Sequence, residues 1–493
     1  MEMRKISILM ALLITGYILG VWNFLLVPKY LIVFGLKGMT IVLVSMFLAL
    51  LLMLREFEAT RDTRYLIHEF MVKVARFPAV TLVVLMFLLV LGGVTLYYTS
   101  LVFVPVFSLS TPALLAVVAV EVLLILALLV VLKGRTVAFI GALSVLLVLF
   151  TPAATLLMRS KVYSFVTSPR ALSYLSHYRH AIFSSGQPLT LESTVFMVVV
   201  TLLGLGLGAG VYYVLGTFAP KDLDFRKVLV AVVILQVILS FSAAMSTVYS
   251  IGAAYQSYEN AQVRYNQIHE ELGKVFTNPN YTAQQAIEKS QELMQQLKEV
   301  NKTLTNFKKI EVYAKNGNEN PIKAVETFYQ IPRILKESRL PGASAIVALL
   351  MSSLFLAGIT TVIVLVEIGA QITGEVMQVG RGGSVSFISL VIGILGGLMA
   401  YPGLRVMLLA VPLSIGALVA AVEAFPLVRF PKEWNRELAA SIGALFLVVG
   451  FGAMGYVFAA GGSYARLGVV IGILVFLPLL FNRYLIGPAG RRG

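Results

Sequence analysis

ISILMALLITGYILGVWNFLLVP, residues Ile6 to Pro28, is a membrane span with a weak middle. About 20 apolar residues cross the roughly 30 Å of hydrocarbon in a bilayer, and this run is long enough. Gly16 and Gly20 interrupt it, and Trp22 and the polar Asn23 follow where lipid favours leucine. Lipid cannot satisfy freed backbone N–H and C=O groups, so an interrupted span must be buried in protein or line a cavity. Such breaks often hold ions and substrates, although glycines also let neighbouring helices pack closely. A second interrupted span favours the first option, and one lies at 194–216. There LLGLGLGAGVYY places Gly204, Gly206, Gly208 and Gly210 at every second position. Each glycine costs a helix about 1 kcal/mol against alanine.

The composition agrees with a chain of spans. Of 493 residues, 58% are hydrophobic and 13% charged, and the mean hydropathy is +0.89, which excludes a soluble enzyme core and implies a polytopic membrane protein. With no cysteine there is no disulfide framework and no Cys-ligated metal. The net charge of +15 fits the lysine and arginine excess of cytoplasmic loops better than a nucleic-acid partner. The first apolar run has no small-residue cleavage site and continues as a span, so no cleavable signal is expected.

Apolar runs predict spans near 6–27, 38–54, 78–102, 112–132, 136–158, 194–216, 227–252, 343–367, 384–402, 404–426, 438–460 and 465–486. Arg4 and Lys5, Arg55 to Arg76, Lys133 and Arg135, and Lys221 to Lys227 fall in alternate loops, as do Arg381, Arg429 and Arg436. The charge bias places both termini in the cytoplasm of a cell whose plasma membrane the chain spans. Glu56 to Phe77 alternates charged and apolar residues and is expected as an amphipathic cytoplasmic connection.

Two long connections are expected outside. Residues 159–193 form an aromatic and basic loop whose His177 and His180 are more simply surface histidines than a metal pair. The larger, 254–340, separates spans one to seven (1–253) from spans eight to twelve (341–493). Tyr258, Tyr265, Ile268, Leu272 and Val275, then Leu293, Leu297, Val300, Leu304 and Phe307, keep a three-four spacing around the turn TNPNYT, which predicts an antiparallel helical hairpin. Asn280-Tyr281-Thr282 and Asn301-Lys302-Thr303 are glycosylation sequons, in keeping with an outside position. The hairpin is a rigid cap or a surface for a protein partner.

VLGGVT (Val90 to Thr95) and FLAGIT (Phe355 to Thr360) echo one another at corresponding places in two five-span groups, the order expected of an inverted repeat. Together with GYILGVWNFLLVP, LLMLREFE, GVTLYY, GLGLGAGVYYV with its following KDLDF, LAGITT and FYQIPRIL, the chain resembles the neurotransmitter:sodium symporters, whose bacterial members carry amino acids. The resemblance covers spans one to ten and fades over the last two. It implies an all-α, LeuT-type 5+5 inverted-repeat fold of about 12 transmembrane helices with helices 1 and 6 discontinuous. It also implies that FYQIPRIL is a re-entrant outer lid.

The resemblance further implies a sodium site at Gly16, Leu19, Ala357, Thr360 and Thr361. Neutral oxygens at a helix break can strip Na⁺ of water and release it again, whereas the alternative is that both threonines only bond back to their own helix. A second sodium site would draw on Ile18, Asn23, Thr201 and Gln236, with Leu202 standing where the family has threonine. The implied substrate site comprises Val21, Trp22, Val94, Tyr98, Gly204, Leu207, Thr361 and Leu365. Tyr98 matches a carboxylate-holding tyrosine, and Trp22 stands where amino-acid carriers have glycine. Leu26 and Leu408 replace the charged pair of the outer gate, while Glu56 and Glu375 match acids of the inner one and Arg4 stands in for a basic latch. Glu121, Glu367 and Glu423 remain as acids inside spans. Glu423 matches a structural glutamate, and Glu367 is a candidate proton carrier.

These observations lead to an expectation of a sodium-coupled symporter importing a small neutral, apolar amino acid or related solute, with no catalytic residues. The alternatives are a transport-inactive receptor or scaffold that uses the hairpin, and a proton-coupled carrier.

Overall fold

Helix is the only regular secondary structure among the described residues, as lipid requires of spans that must satisfy their own backbone. The computed structural model describes residues 2–18, 22, 24, 26–107, 109–132, 135–275, 277, 281–317, 321–329, 331–337, 340–430 and 433–485. Among the described residues, ten helices are long and apolar enough to cross a bilayer, and two shorter apolar ones, Lys5–Tyr17 and Leu191–Gly204, lie in the spans expected to break.

In chain order the elements are α1 (Glu2–Ile18), α2 (Val27–Thr63), α3 (Ile67–Lys73), α4 (Ala79–Leu101, extended by Phe103–Phe107), α5 (Thr111–Leu132) and α6 (Thr136–Phe165). Then come α7 (Pro169–Ala181), α8 (Leu191–Gly204), α9 (Val211–Phe218), α10 (Phe225–Val275), α11 (Ala283–Lys315), α12 (Pro321–Phe328) and α13 (Ile331–Glu337). Five long helices follow, α14 (Ala343–Met377), α15 (Arg381–Leu398), α16 (Pro402–Ala424), α17 (Glu433–Ala460) and α18 (Ser463–Leu474), before short helical turns that end at Leu485.

Burial sorts them into an inner and an outer set. The most apolar stretches of α4, α14 and α16 are 83, 78 and 89% buried, whereas those of α5, α6, α15, α17 and α18 are only 28–33% buried. Side chains such as Val120, Leu123, Val131, Leu156 and Val448 stand out from the outer set. Water would penalise that surface, and a bilayer would not.

Three boundaries differ from the expectations. The second span, expected at 38–54, belongs to a helical run from Val27 to Thr63 that bends at Gly35 (φ 55°, ψ −132°). The bend exists because the 181–184 turn packs against it: Leu36 N–H donates to Ser184 O at 2.8 Å, and a Cβ on Gly35 would strike the Ala181 and Ser184 carbonyls. The expected connection from Glu56 to Phe77 begins as membrane helix, and Glu56 is fully buried. The seventh span, expected at 227–252, does not stop at the water interface. It runs on to Val275 as a single helix of 51 residues, because the polar stretch after Gly252 holds good helix formers and no proline.

The extension of α10 pairs with α11 to form the expected hairpin. Ala261, Ile268, Val275, Ala286, Leu293 and Val300 make a small core of their own, flanked by Tyr265, Leu272, Leu297 and Leu304. Thr282 and Gln285 form a capping box at the start of α11. At the base, the Tyr258 and Phe307 rings lie 4.6 Å apart, which joins the hairpin to the main core.

Candidate ion and substrate site

The sixth span breaks where its glycines predict. A Thr190–Ser193 capping box starts α8. The helix gives way after Gly204 to a buried turn in which Gly206, Gly208 and Gly210 have φ of 74°, 89° and 72°. That left-handed region is open to glycine at little cost and closed to most side chains. Unpaired N–H groups at this depth would each be costly. Glu423 of α16 supplies the acceptor: its carboxylate takes the N–H groups of Gly208 and Gly210, the latter at 2.7 Å. The Tyr213 hydroxyl in turn donates to the Glu423 carbonyl at 2.9 Å, and the Tyr212 hydroxyl donates to Leu205 O.

The end of α1 meets this turn directly. The Tyr17 ring lies so close to Gly206 that a Cβ there would occupy the ring's place. Behind it stand the two threonines of α14. The Thr360 hydroxyl donates to Gly16 O at 2.8 Å and the Thr361 hydroxyl to Tyr17 O at 3.1 Å, so adjacent residues of one helix face adjacent carbonyls at the end of the other. Each hydroxyl also has an acceptor in its own helix, Leu356 O (2.7 Å) or Ala357 O (2.8 Å). A hydroxyl holds one proton, so these bonds are alternatives. With the proton turned to α14, a hydroxyl lone pair faces α1. Ser144 of α6 closes the third side: its Oγ sits where a Gly16 side chain would go, and it bonds back to Ile140 O at 2.8 Å. Gly16, Tyr17, Ala357, Thr360 and Thr361 are all buried.

This cluster offers only neutral carbonyl and hydroxyl oxygens, a donor set suited to a small hard cation held weakly enough to leave. Of the residues expected at the first sodium site, Gly16, Ala357, Thr360 and Thr361 lie together. Leu19, Val21 and Asn23 lie outside the described residues, and Ile18 is described only as the last helical residue of α1. The Tyr17 carbonyl, Ser144 and the Glu423 clamp are the contributions that sequence reasoning missed. Only the adjacency of Gly16 and Tyr17, mirroring that of Thr360 and Thr361, could have signalled the first.

The residues expected to hold a second ion are not joined by any described contact. Thr201 donates to Met197 O at 2.7 Å within its own helix. Gln236 instead lines a small apolar cavity between α10 and α2, with Val27, Leu31, Ile182 and Phe183.

Of the residues expected to line the substrate site, Val94, Gly204, Leu207 and Leu365 are buried. The segment expected as a lid packs on Tyr98. Tyr329, between α12 and α13, donates its hydroxyl to Tyr98 O at 2.7 Å and stacks on the Tyr98 ring, with centroids 5.5 Å apart. Lys336 of α13 ties the same segment to the extension of α4 by donating to Pro105 O and Val106 O at 2.8 and 2.9 Å. Trp22 is buried, and its indole N–H meets no acceptor among the described residues.

Of the residues expected at the gates, Leu26 and Leu408 are buried, and one turn before Leu408 the Arg405 guanidinium donates to the Tyr97 hydroxyl at 2.8 Å. Arg4 is described only as backbone of α1. Glu56 is fully buried, and neither of its carboxyl oxygens has a hydrogen-bond partner among the described residues. Glu375 accepts the His68 N–H at 2.9 Å at the start of α3. It lines an open cavity of about 930 Å³ together with Glu367, Gln371 and Arg381. Glu367 is no isolated intramembrane acid: Arg381 pairs with it at 2.7 Å, and both side chains are partly exposed. Burial lowers the His68 pKa from its usual value, which keeps that ring neutral beside Thr81.

No protein-family model matches the chain, and no curated protein is significantly similar to it. The fold and composition define an all-helical, multi-pass membrane protein.

Proposed function

We propose that the protein is a sodium-coupled secondary transporter of LeuT-type architecture that imports a small neutral, apolar amino acid or related solute by alternating access. The observation that carries this proposal is the contact of the α1 end with the glycine turn of the sixth span, braced by Thr360 and Thr361 on the Gly16 and Tyr17 carbonyls. Its resemblance to the neurotransmitter:sodium symporters in the order of motifs supports the same assignment. Sodium replaces the hydroxyl protons as the link between α1 and α14 and favours the form open to the hairpin side. Substrate then fills the space between the two breaks, and the lid closes over it. A ligand shifts such an equilibrium only through unequal affinity for the two forms. The charge bias of the loops supports an orientation with the termini in the cytoplasm and the hairpin outside.

Uptake into proteoliposomes tests the proposal. A sodium gradient should drive accumulation of an apolar amino acid, and a potassium gradient should not. Thr360→Ala should weaken sodium dependence about tenfold, the effect of removing roughly 1.4 kcal/mol from one ligand, and Thr360→Ser should restore most of it. Uptake indifferent to sodium, or unaltered by Thr360→Ala, would remove the assignment. The burial of Trp22 favours a second reading, a plugged receptor whose hairpin meets a partner; in that case Trp22→Gly gains solute binding that the parent chain lacks.

A further inference from the structure

A buried carboxyl in the membrane region lies away from the α1 end and the glycine turn. Glu121 is the central residue of α5, about 15 Å from either end of that helix by its rise. Its neighbours Val120, Leu123 and Leu124 face outward, while Glu121 itself is 4% exposed and turned toward α4. One carboxyl oxygen lies 2.6 Å from Ser100 Oγ, and the other is buried with no hydrogen-bond partner among the described residues. The Ser100 hydroxyl also lies 3.0 Å from Leu96 O, one turn back in α4.

Proton counting bears on this arrangement. A serine hydroxyl has one proton to give and two lone pairs to receive. If Glu121 were ionised, the carboxylate and Leu96 O would both be acceptors competing for that proton, and the other carboxylate oxygen would have none. If Glu121 carries a proton, it donates to Ser100 Oγ, Ser100 donates to Leu96 O, and the chain of bonds closes. The titratable and charged groups on the elements packed against α5 are Tyr97 and Tyr98 on α4, Arg381 on α15, Glu367 and Glu375 on α14, and Arg159, Lys161 and Tyr163 on α6. None of them is hydrogen-bonded or ion-paired to the Glu121 carboxyl, whose one partner among the described residues is Ser100. Arg381 is committed elsewhere, to Glu367 and to Leu129 O. An ionised carboxylate without a cation at this depth would cost several kcal/mol.

We propose that Glu121 is an intramembrane proton-binding site. While protonated it is a neutral acid that donates to Ser100 and joins α5 to α4; on releasing the proton to water it becomes a carboxylate without a counter-ion, and the join is lost. Ser100 lies two residues beyond Tyr98, whose carbonyl receives the lid tyrosine, so proton occupancy at Glu121 acts on the segment that the lid closes upon. The proposal is independent of the sodium site and holds whether or not the protein transports.

Infrared difference spectroscopy of the full chain in lipid tests it. At neutral pH, the parent minus Glu121→Gln spectrum should contain the C=O stretch of a protonated carboxylic acid. Loss of carboxylate bands in its place would overturn the proposal. Glutamine keeps a donor toward Ser100, and if that variant does not fold, Ser100→Ala serves: it should shift the frequency of the same C=O stretch, and a shift confined to carboxylate bands again overturns the proposal. Alkaline pH should lower the thermal stability of the parent chain more than that of Glu121→Gln. Equal losses would contradict a proton held at this position.

Discussion

Gly206 shows how far one residue can be constrained. Its φ of 74° favours glycine, and the Tyr17 ring fills the place of any side chain. Gly206→Ala should therefore cost about 1–3 kcal/mol from the backbone alone, with a steric cost added. Thermal unfolding in detergent should rank Gly206→Ala lowest, the Gly206→Ala/Tyr17→Ala double variant above it, and the parent highest. No difference between single and double variants would mean that the α1 end and the glycine turn do not touch. The turn was legible because alternating glycines are poor helix and lipid leaves an unwound segment few options. The threonine pair was legible only through resemblance, since two threonines in a helix look the same whether they bond inward or across. Glu423 shows the limit: the sequence supplies a buried carboxylate but cannot say that its oxygens reach N–H groups more than 200 residues earlier.

Among the elements, the hairpin and the lid make separable claims. The hairpin core is its own cluster, distinct from the membrane core. Leu293→Asp should open the hairpin to protease and leave the unfolding temperature of the membrane part unchanged; a matching fall in both would show them to be one cooperative unit. The proposed lid is held by the Tyr329 hydroxyl on Tyr98 O. Tyr329→Phe removes a bond of about 1 kcal/mol and should raise the open fraction about fivefold. Because the chain has no cysteine, a single thiol at Val94 reports this as a faster reaction with a polar alkylating reagent. An unaltered rate would place the barrier elsewhere. Heptad-like spacing made the hairpin readable. It hid the junction, since hydropathy falls at the water surface while helix propensity does not, and α10 follows propensity. The bend at Gly35 was equally hidden, because the partner that requires it is the distant 181–184 turn.

For the molecule as a whole, the division into a buried inner set and a lipid-facing outer set follows directly from the apolar composition. The arrangement of the inner set does not, because leucine and valine pack without direction and the specific contacts come from a few polar groups. A helix that leaves the membrane without a joint also makes the outer tip a pointer for movements within. From Gly252, where Leu175 of α7 is seated against it, to Val275, α10 projects about 35 Å. A rotation of about 10° about that fulcrum, within the range of tilts that membrane helices adopt, carries the tip through about 6 Å. Two dyes, one at the tip and one on α17, should therefore register gating as a change in energy transfer. A fixed separation across all ligand conditions would mean that α10 belongs to the stationary part of the protein.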